Sequence, residues 1–280
     1  MKISTKSIFI FGTLLITLFA VIFFFKKTSV TRNFQKIDSF EQAIPELNQC
    51  NDTTLVLFDI DDTLLSTADI FGTHSLPLLF KLRAILKHPQ LLFRKNWEYY
   101  YSIMWQETEW CAIEPDSIII INQLKDRGCT ALGLTSMETG TFGVIENFPE
   151  WRSTVLANLG IKFTDSFPNT VFNELLSYRN NYPELYDGIL CCNQQSKGSV
   201  LAAFLDNFNV QPSKIIFFDD SVENLVSVAD ICQQKNIPFT GFQYLRANKL
   251  AAKWDTQKAL TQLDYLIQYG VWSSDKDAIH

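Results

Sequence analysis

Five short, almost purely apolar runs punctuate the chain, at residues 55–58, 130–134, 188–192, 215–218 and 238–242. Each has the length of a strand, and a run without polar alternation suits a parallel sheet covered on both faces. The stretches between them are helical in pattern. Residues 116–126 are apolar-periodic, with Pro115 at the start and Gly128 just past the end, a well-punctuated helix. Residues 199–208 and 223–233 behave similarly. Strands alternating with helices predict an α/β fold, a parallel sheet with crossover helices.

Three stretches depart from this alternation. Residues 8–25 are eighteen in a row without a charge, interrupted only by Gly12, Thr13 and Thr17 and flanked by Lys2, Lys6, Lys26 and Lys27. That is long enough to cross a bilayer, and no small-x-small cleavage site is obvious near its end, so residues 1–27 read as a signal-anchor in preference to a cleaved signal peptide. Lysines on both flanks barely orient it; analogy with exported precursors puts the large domain outside the cytoplasm. Residues 28–52 are polar, with Phe40, Ala43, Ile44 and Leu47 at helical spacing, which suits a linker and a short helix. Residues 53–280 form the main domain, and within it residues 66–113 are rich in aromatics, among them Phe71, Phe80, Phe93, Trp97, Trp105 and Trp110. This insertion reads as two or three helices forming a small cap. Trp97 and Trp105 lie eight apart, on one helix face, where they pack the cap onto the core. The basic residues Lys81, Arg83, Lys87, Arg94 and Lys95 are interleaved with them as a solvated face, or as a substrate or membrane-surface patch.

Composition narrows the function classes. In 280 residues, 47% hydrophobic, the formal charge is −6. Beyond residue 27 the balance is 20 basic against 30 acidic residues, which gives no support to nucleic-acid binding. The six cysteines lack paired C-x-x-C spacing; those in or beside apolar runs, Cys129, Cys191 and Cys192, read as buried small hydrophobes. His74, His88 and His280 share no ligand spacing, and neither a G-x-S-x-G elbow nor a Walker loop occurs, which leaves nucleophilic-serine and nucleotide-triphosphatase chemistry unsupported.

The candidate chemistry starts where the first apolar run ends, in Asp59, Asp61 and Asp62. Open α/β sheets bind ligands at the carboxyl ends of their strands, and clustered carboxylates there require a cation. Asp59-Ile60-Asp61-Asp62-Thr63 resembles the D-x-D-x-T signature of haloacid dehalogenase-like phosphatases. Three further matches follow in that family's order: Thr135 after Leu132-Gly133-Leu134, Lys197 before Gly198 and a helix, and Asp219-Asp220 after residues 215–218, with Asn224 four positions beyond Asp220. The resemblance spans residues 53–245, without the cap and the termini. It implies a three-layer α/β/α, Rossmann-like sheet with a helical cap inserted after the first strand.

It also implies an activity, phosphomonoester hydrolysis through an aspartyl-phosphate, with a small phosphorylated substrate. Cleavage of a phosphate ester needs in-line attack, neutralised phosphoryl oxygens and a proton for the leaving group. By the family pattern Asp59 is the nucleophile and Asp61 protonates the leaving alcohol and later activates water. Two anions must meet, so a hard, oxygen-ligated cation is expected, and Mg²⁺ suits few carboxylates plus phosphate. The resemblance assigns it Asp59, the backbone carbonyl of Asp61, and an acid of the fourth motif; alignment on Asn224 makes that acid Asp220, with Asp219 beside it where many members have Gly. Thr135, the backbone N–H of Ser136 and an adjacent helix start are expected to hold the phosphate, with Lys197 adding positive charge and holding Asp59 ionised. A non-catalytic binding protein of the same fold and a phosphotransferase or mutase are the rival readings. A dehalogenase fits less well, because it has no use for Asp61 and Asp220 together.

Overall fold

All five residues of the strand Thr54–Phe58 are buried, and its side chains divide between two cores. Val56 and Phe58 belong to one apolar cluster, Leu55 and Leu57 to the other, as the period-2 alternation of a strand dictates. The computed structural model describes residues 34–69, 71, 76–247 and 254–274. Within them the strands are β1 (Gln35–Ile37), β2 (Thr54–Phe58), β3 (Leu65–Thr67), β4 (Trp110–Ala112), β5 (Thr130–Thr135), β6 (Thr170–Val171), β7 (Glu184–Tyr186), β8 (Ile189–Cys191), β9 (Lys214–Asp219) and β10 (Phe239–Tyr244). The helices are α1 (Ile44–Leu47), α2 (Leu78–Lys87), α3 (Arg94–Glu107), α4 (Asp116–Asp126), α5 (Phe148–Asn158), α6 (Lys197–Asn207), α7 (Val222–Gln234) and α8 (Thr256–Tyr269). No described helix is long and apolar enough to cross a membrane; the anchor expected at residues 1–27, like His74 and His280, lies outside the described residues.

Eight strands form one mostly parallel sheet in the order β1-β10-β9-β2-β5-β8-β7-β6. The protein is therefore a mixed α/β fold. Ile120, Ile121 and Leu124 of α4 and Phe148 and Leu156 of α5 cover one face of the sheet. Val200, Leu201 and Phe204 of α6 and Leu225 and Val228 of α7 cover the other. Across the sheet, Phe58 stacks on Phe218 at 5.2 Å and Phe218 on Phe242 at 4.9 Å, a ladder that the in-register pairing of β2, β9 and β10 creates. In this sheet only the pairs β6–β7 and β7–β8 are antiparallel, and β7 joins β8 through a two-residue turn in which Asp187 and Gly188 both have positive φ, the geometry such hairpins require.

Two segments carry more structure than their sequence pattern predicts. Residues 35–47, expected as a linker with a short helix, do contain the helix α1, but they also add an edge strand to β10 and bury Ile37, Phe40 and Leu47. The cap insertion begins and ends in an antiparallel ribbon, β3 with β4, and its core is completed from far along the chain. Ala259, Leu263 and Leu266 of α8 pack with Phe71, Phe80, Ala84 and Met104 of the cap. The six cysteines are free thiols, five of them buried.

The start of the domain is tied down by one buried carboxylate. Glu114, 5% exposed, accepts from Ser39 Oγ at 2.7 Å, Phe40 N at 3.0 Å and Tyr244 Oη at 2.8 Å. Arg246 approaches the same group at 3.3 Å. Glu114→Ala strands several buried donors at once and is expected to cost about 2–4 kcal/mol, whereas Tyr244→Phe removes one bond and costs about 1 kcal/mol. Chemical denaturation of the two variants against the parent measures both, and equal losses would contradict this account of the junction.

Candidate functional site

The carboxyl ends of β2 and β9 bring the site together. From β2 the chain steps to β5 and β8 on one side, and β9 then returns beside β2 and steps to β10 on the other. Adjacent strands whose connections leave in opposite directions open a crevice at their carboxyl ends. Phe58 pairs with Phe218, and Asp59 N–H donates to Phe218 O at 2.9 Å. Asp59 and Asp219 therefore leave their strands level with each other. Beyond Asp59 a tight turn folds the chain back: Ile60 O accepts from the N–H groups of Leu64 and Leu65, both at 2.9 Å, and Asp62 takes φ 63°, a left-handed conformation that Asp tolerates better than most residues.

Lys197, the first residue of α6 and 1% exposed, donates to both Asp59 Oδ1 and Asp219 Oδ2, the latter at 2.6 Å. Two features place it. Ser196 caps the helix by accepting from Ser199 N. Gly198 lets α6 lie directly on α7, since a Cβ there would stand 2.2 Å from Ser227 O. Asp219 is held further by Ser221 N at 2.8 Å and Asn224 Nδ2 at 3.0 Å, both on Oδ1. Asn224 thus serves the acid next to the one with which the sequence pattern aligns it. Thr63 Oγ1 donates to Asp59 Oδ2 at 3.1 Å.

Ligand oxygens of Asp59, Asp219 and Asp220 lie within 4.8 Å of one another. Three carboxylates surround one ammonium, and the electrostatics register the imbalance. Burial pushes the Asp59 carboxyl well up, Lys197 pulls it down, and Asp219 and Asp220 push it up again. Asp220 is pushed up to about 6, by burial first and then by Asp219. The Lys197 ammonium is disfavoured by burial, but its two carboxylate partners outweigh that and raise its pKa. Lys197 acts on Asp59 in the expected direction, lowering its pKa against burial and the two neighbouring carboxyls; the cluster sets three carboxylates against one ammonium. All its donors are oxygens, which fits a hard divalent cation. Asp219 spends three acceptor positions on protein donors, so Asp220 is the fourth-motif acid better able to ligate.

Asp61 is turned elsewhere. Its side chain, about half exposed, meets Arg152 Nη2 at 3.0 Å, and its carboxylate is not among the three that converge. Arg152, on α5, is 1% exposed and lies over the rings of Trp110 at 4.5 Å and Trp151 at 5.0 Å. Its Nε and Nη1 have no hydrogen-bond partner, so the aromatic faces and Asp61 are what compensate this buried cation. Sequence reading missed Arg152; its signal was the Trp151-Arg152 pair on an unread helix. Trp105 of the cap stacks on Phe142, Phe148 and, at 6.2 Å, Trp151, so it does pack the cap onto the core.

Thr135 ends β5 and is 2% exposed. Its Oγ1 accepts from Met137 N at 3.2 Å, which leaves the hydroxyl proton to donate. Ser136 is exposed just beyond it. The helix start expected beside them is absent, because α5 begins only at Phe148. Residues 136–147 instead form a loop that seats the cap: Val144 N donates to Ser102 Oγ at 2.9 Å, and Gly143, at φ 58°, lies so close to α3 that a Cβ would stand 2.0 Å from the same oxygen. Glu138 and the buried Glu98 share Arg94 and Arg179 beside it.

Residues 36–274 match the family described as "protein of unknown function (DUF2608)". The chain belongs to this family. It is similar to an uncharacterised protein of Rickettsia prowazekii, 27% identical over 166 residues that make up 59% of this chain and 60% of the relative. It is also similar to an uncharacterised protein of Rickettsia conorii, 32% identical over 141 residues, 48% of each chain. A putative outer membrane protein of Chlamydia pneumoniae is 22% identical over 216 residues, 75% of this chain and 76% of the relative. The chain thus spans about half to three fifths of these Rickettsia relatives. No solved structure matches it.

In this DUF2608 chain the Asp61 carboxyl is raised above the usual carboxylate range, by desolvation first, against the lowering effect of Arg152. Removing the guanidinium leaves desolvation and Asp62 opposed only by the smaller lowering effect of Lys197. Arg152→Met is therefore expected to raise the Asp61 pKa further and Arg152→Lys to raise it less, as carbon-13 NMR titration of the carboxyl reads. An unchanged titration would mean that the 3.0 Å pair does not act on Asp61.

Proposed function

We propose that this protein is a Mg²⁺-dependent phosphomonoester hydrolase of the haloacid dehalogenase-like type. The convergence of Asp59, Asp219 and Asp220 around Lys197 at the β2–β9 crevice carries this reading. Thr135, at the end of the next strand, and Asp61, two residues past the nucleophile, are supporting observations. On the same reading the sheet with helices on both faces is the superfamily's core, and the segment from β3 to β4 is its cap.

Each residue has a defined task. Asp59 attacks phosphorus as the ester P–O bond breaks, and the Asp61 carboxyl hands its proton to the departing oxygen. Desolvation shifts its pKa upward, the direction a general acid requires, and Arg152 holds the group in place. The Asp61 carboxylate then takes a proton from water, whose oxygen attacks phosphorus and releases inorganic phosphate, regenerating Asp59. Lys197 and the Thr135 hydroxyl bind phosphoryl oxygens throughout. Asp59, Asp220 and the Asp61 carbonyl are the groups that would hold Mg²⁺, with Asp219 positioning Lys197. The cation supplies the charge neutralisation that lets phosphate approach a carboxylate.

The apolar run at residues 8–25 and the name of the Chlamydia relative support an envelope location. The domain is then held by the N-terminal anchor outside the cytoplasm and acts on a small phosphorylated substrate.

Asp59→Asn is expected to reduce hydrolysis of a generic aryl phosphate by at least about a thousandfold and to leave the far-UV circular dichroism unchanged. Undiminished turnover would sink the mechanism, and transfer to an added alcohol in preference to water would favour a phosphotransferase.

A second expectation concerns the cation itself. Asp220, at about 6 when metal-free, binds its proton more tightly than in the unfolded chain. The metal-free protein therefore loses stability as pH rises through 6, and Mg²⁺ restores it. Below that pH the cation must displace the proton, so its apparent affinity falls by up to about tenfold per unit. Melting temperatures with and without Mg²⁺ at pH 5 and 7.5 test this: the Mg²⁺-induced rise should be larger at 7.5 and small in Asp220→Asn at either pH.

A further inference from the structure

Between Leu76 and Trp97 the chain carries five basic residues, Lys81, Arg83, Lys87, Arg94 and Lys95, and no acidic one, in a protein of formal charge −6. The same stretch exposes six large apolar side chains: Leu78 (73%), Leu79, Leu82, Leu86 (83%), Leu92 and Phe93 (70%). At about 100° per residue, Leu78, Leu79, Leu82 and Leu86 fall within one arc of about 100° on α2. Phe80 and Ala84, the buried residues of α2, point away from it. Lys81 and Arg83 flank the arc, about 60° before and 40° after its edges. They and Lys95 are exposed and form no ion pair among the described residues.

We infer that α2, with the turn Pro89–Leu92 and Phe93, is a surface that docks on an anionic lipid bilayer. A leucine stripe edged by unpaired basic residues matches the boundary between acyl chains and phosphate headgroups, with the leucines sinking in and the cations meeting lipid phosphate. A second copy of the chain fits less well, since a two-fold contact through α2 sets Lys81 and Arg83 against like charge. Lys87 is held back on the protein by Asp264, away from the apolar arc. An apolar cavity of about 580 Å³ opens beside the stripe, lined by Leu76, Ile85, Leu91, Trp97, Tyr101 and Trp105, with Lys81 and Arg94 at its edge.

The proposed envelope location also brings a bilayer into the argument, because only residues 26–33 separate the apolar run 8–25 from Phe34 in the sequence. The inference shares membrane anchoring with the proposed location and is independent of the chemistry at Asp59.

The test uses the full chain reconstituted in phosphatidylcholine vesicles containing about 30% phosphatidylglycerol, part of it carrying a photoreactive acyl chain. After irradiation, labelled peptides are mapped by mass spectrometry. Label on peptides covering residues 76–95 is expected in addition to label on residues 8–25. Leu82→Glu/Leu86→Glu changes only exposed positions and should cut the cap label by about tenfold while leaving the label at 8–25, and pure phosphatidylcholine should weaken it several-fold. Absence of label on 76–95, whether or not residues 8–25 are labelled, overturns the inference. So does cap label indifferent to the double variant, or protein–protein cross-links through α2 in place of lipid adducts.

Discussion

A single buried ammonium shared by two buried carboxylates is the constraint on which the rest of this structure turns. Lys197, Asp59 and Asp219 are each at most 5% exposed, and each lowers the cost of burying the others. Their meeting requires β2 and β9 to be neighbours in register, so that Asp59 and Asp219 emerge level. It also requires α6 to begin at the same crevice, which the close approach at Gly198 permits. The sheet order, the bare glycine and the helix cap at Ser196 are geometric conditions for one charge cluster. Burial first, and then the excess of negative over positive charge in that cluster, raise the Asp59 and Asp220 carboxyls.

Around this centre the cap is fastened to the core rather than hung from it. Trp105 lies in a stack with Phe142 and Phe148, and a cavity of about 490 Å³, between α3, the loop beyond β5 and the segment joining β6 to β7, is lined by the Glu98–Arg179 pair. On the far side the chain after α8 returns as a strap: Trp272 Nε1 and Thr108 Oγ1 both donate to the buried Asp69, at 2.7 and 2.6 Å. Arg152 joins the two regions, stacked on Trp110 of the cap ribbon while paired with Asp61 at the site. The ribbon and Asp61, the group to which the proposed mechanism gives the proton, thus share contacts with one side chain.

The parallel core was legible because a strand buried on both faces must be apolar throughout. The runs at 55–58, 130–134 and 215–218 reappear as β2, β5 and β9, and the helix 116–126 reappears with the same ends. The hairpin of β7 and β8 was also written locally, in Asp187-Gly188, though only its second strand was read. The helix start beside Thr135 was expected from the resemblance alone; the chain instead passes through Gly140 and Gly143 at positive φ before α5 begins at Phe148.

The sequence by itself determined what local chemistry can encode: which runs lie inside a sheet, where helices start and stop, and that aspartates, a threonine and a lysine stand at element ends. Tertiary structure alone decided what those groups meet. That Lys197 bridges Asp59 and Asp219, that Arg152 turns Asp61 away from them, that α8 completes the core of a cap inserted more than a hundred residues earlier, and that the α2 leucines remain uncovered are all facts of long-range packing. Local periodicity records which face of an element is apolar. It carries no record of which distant face, or which charge, that element will find.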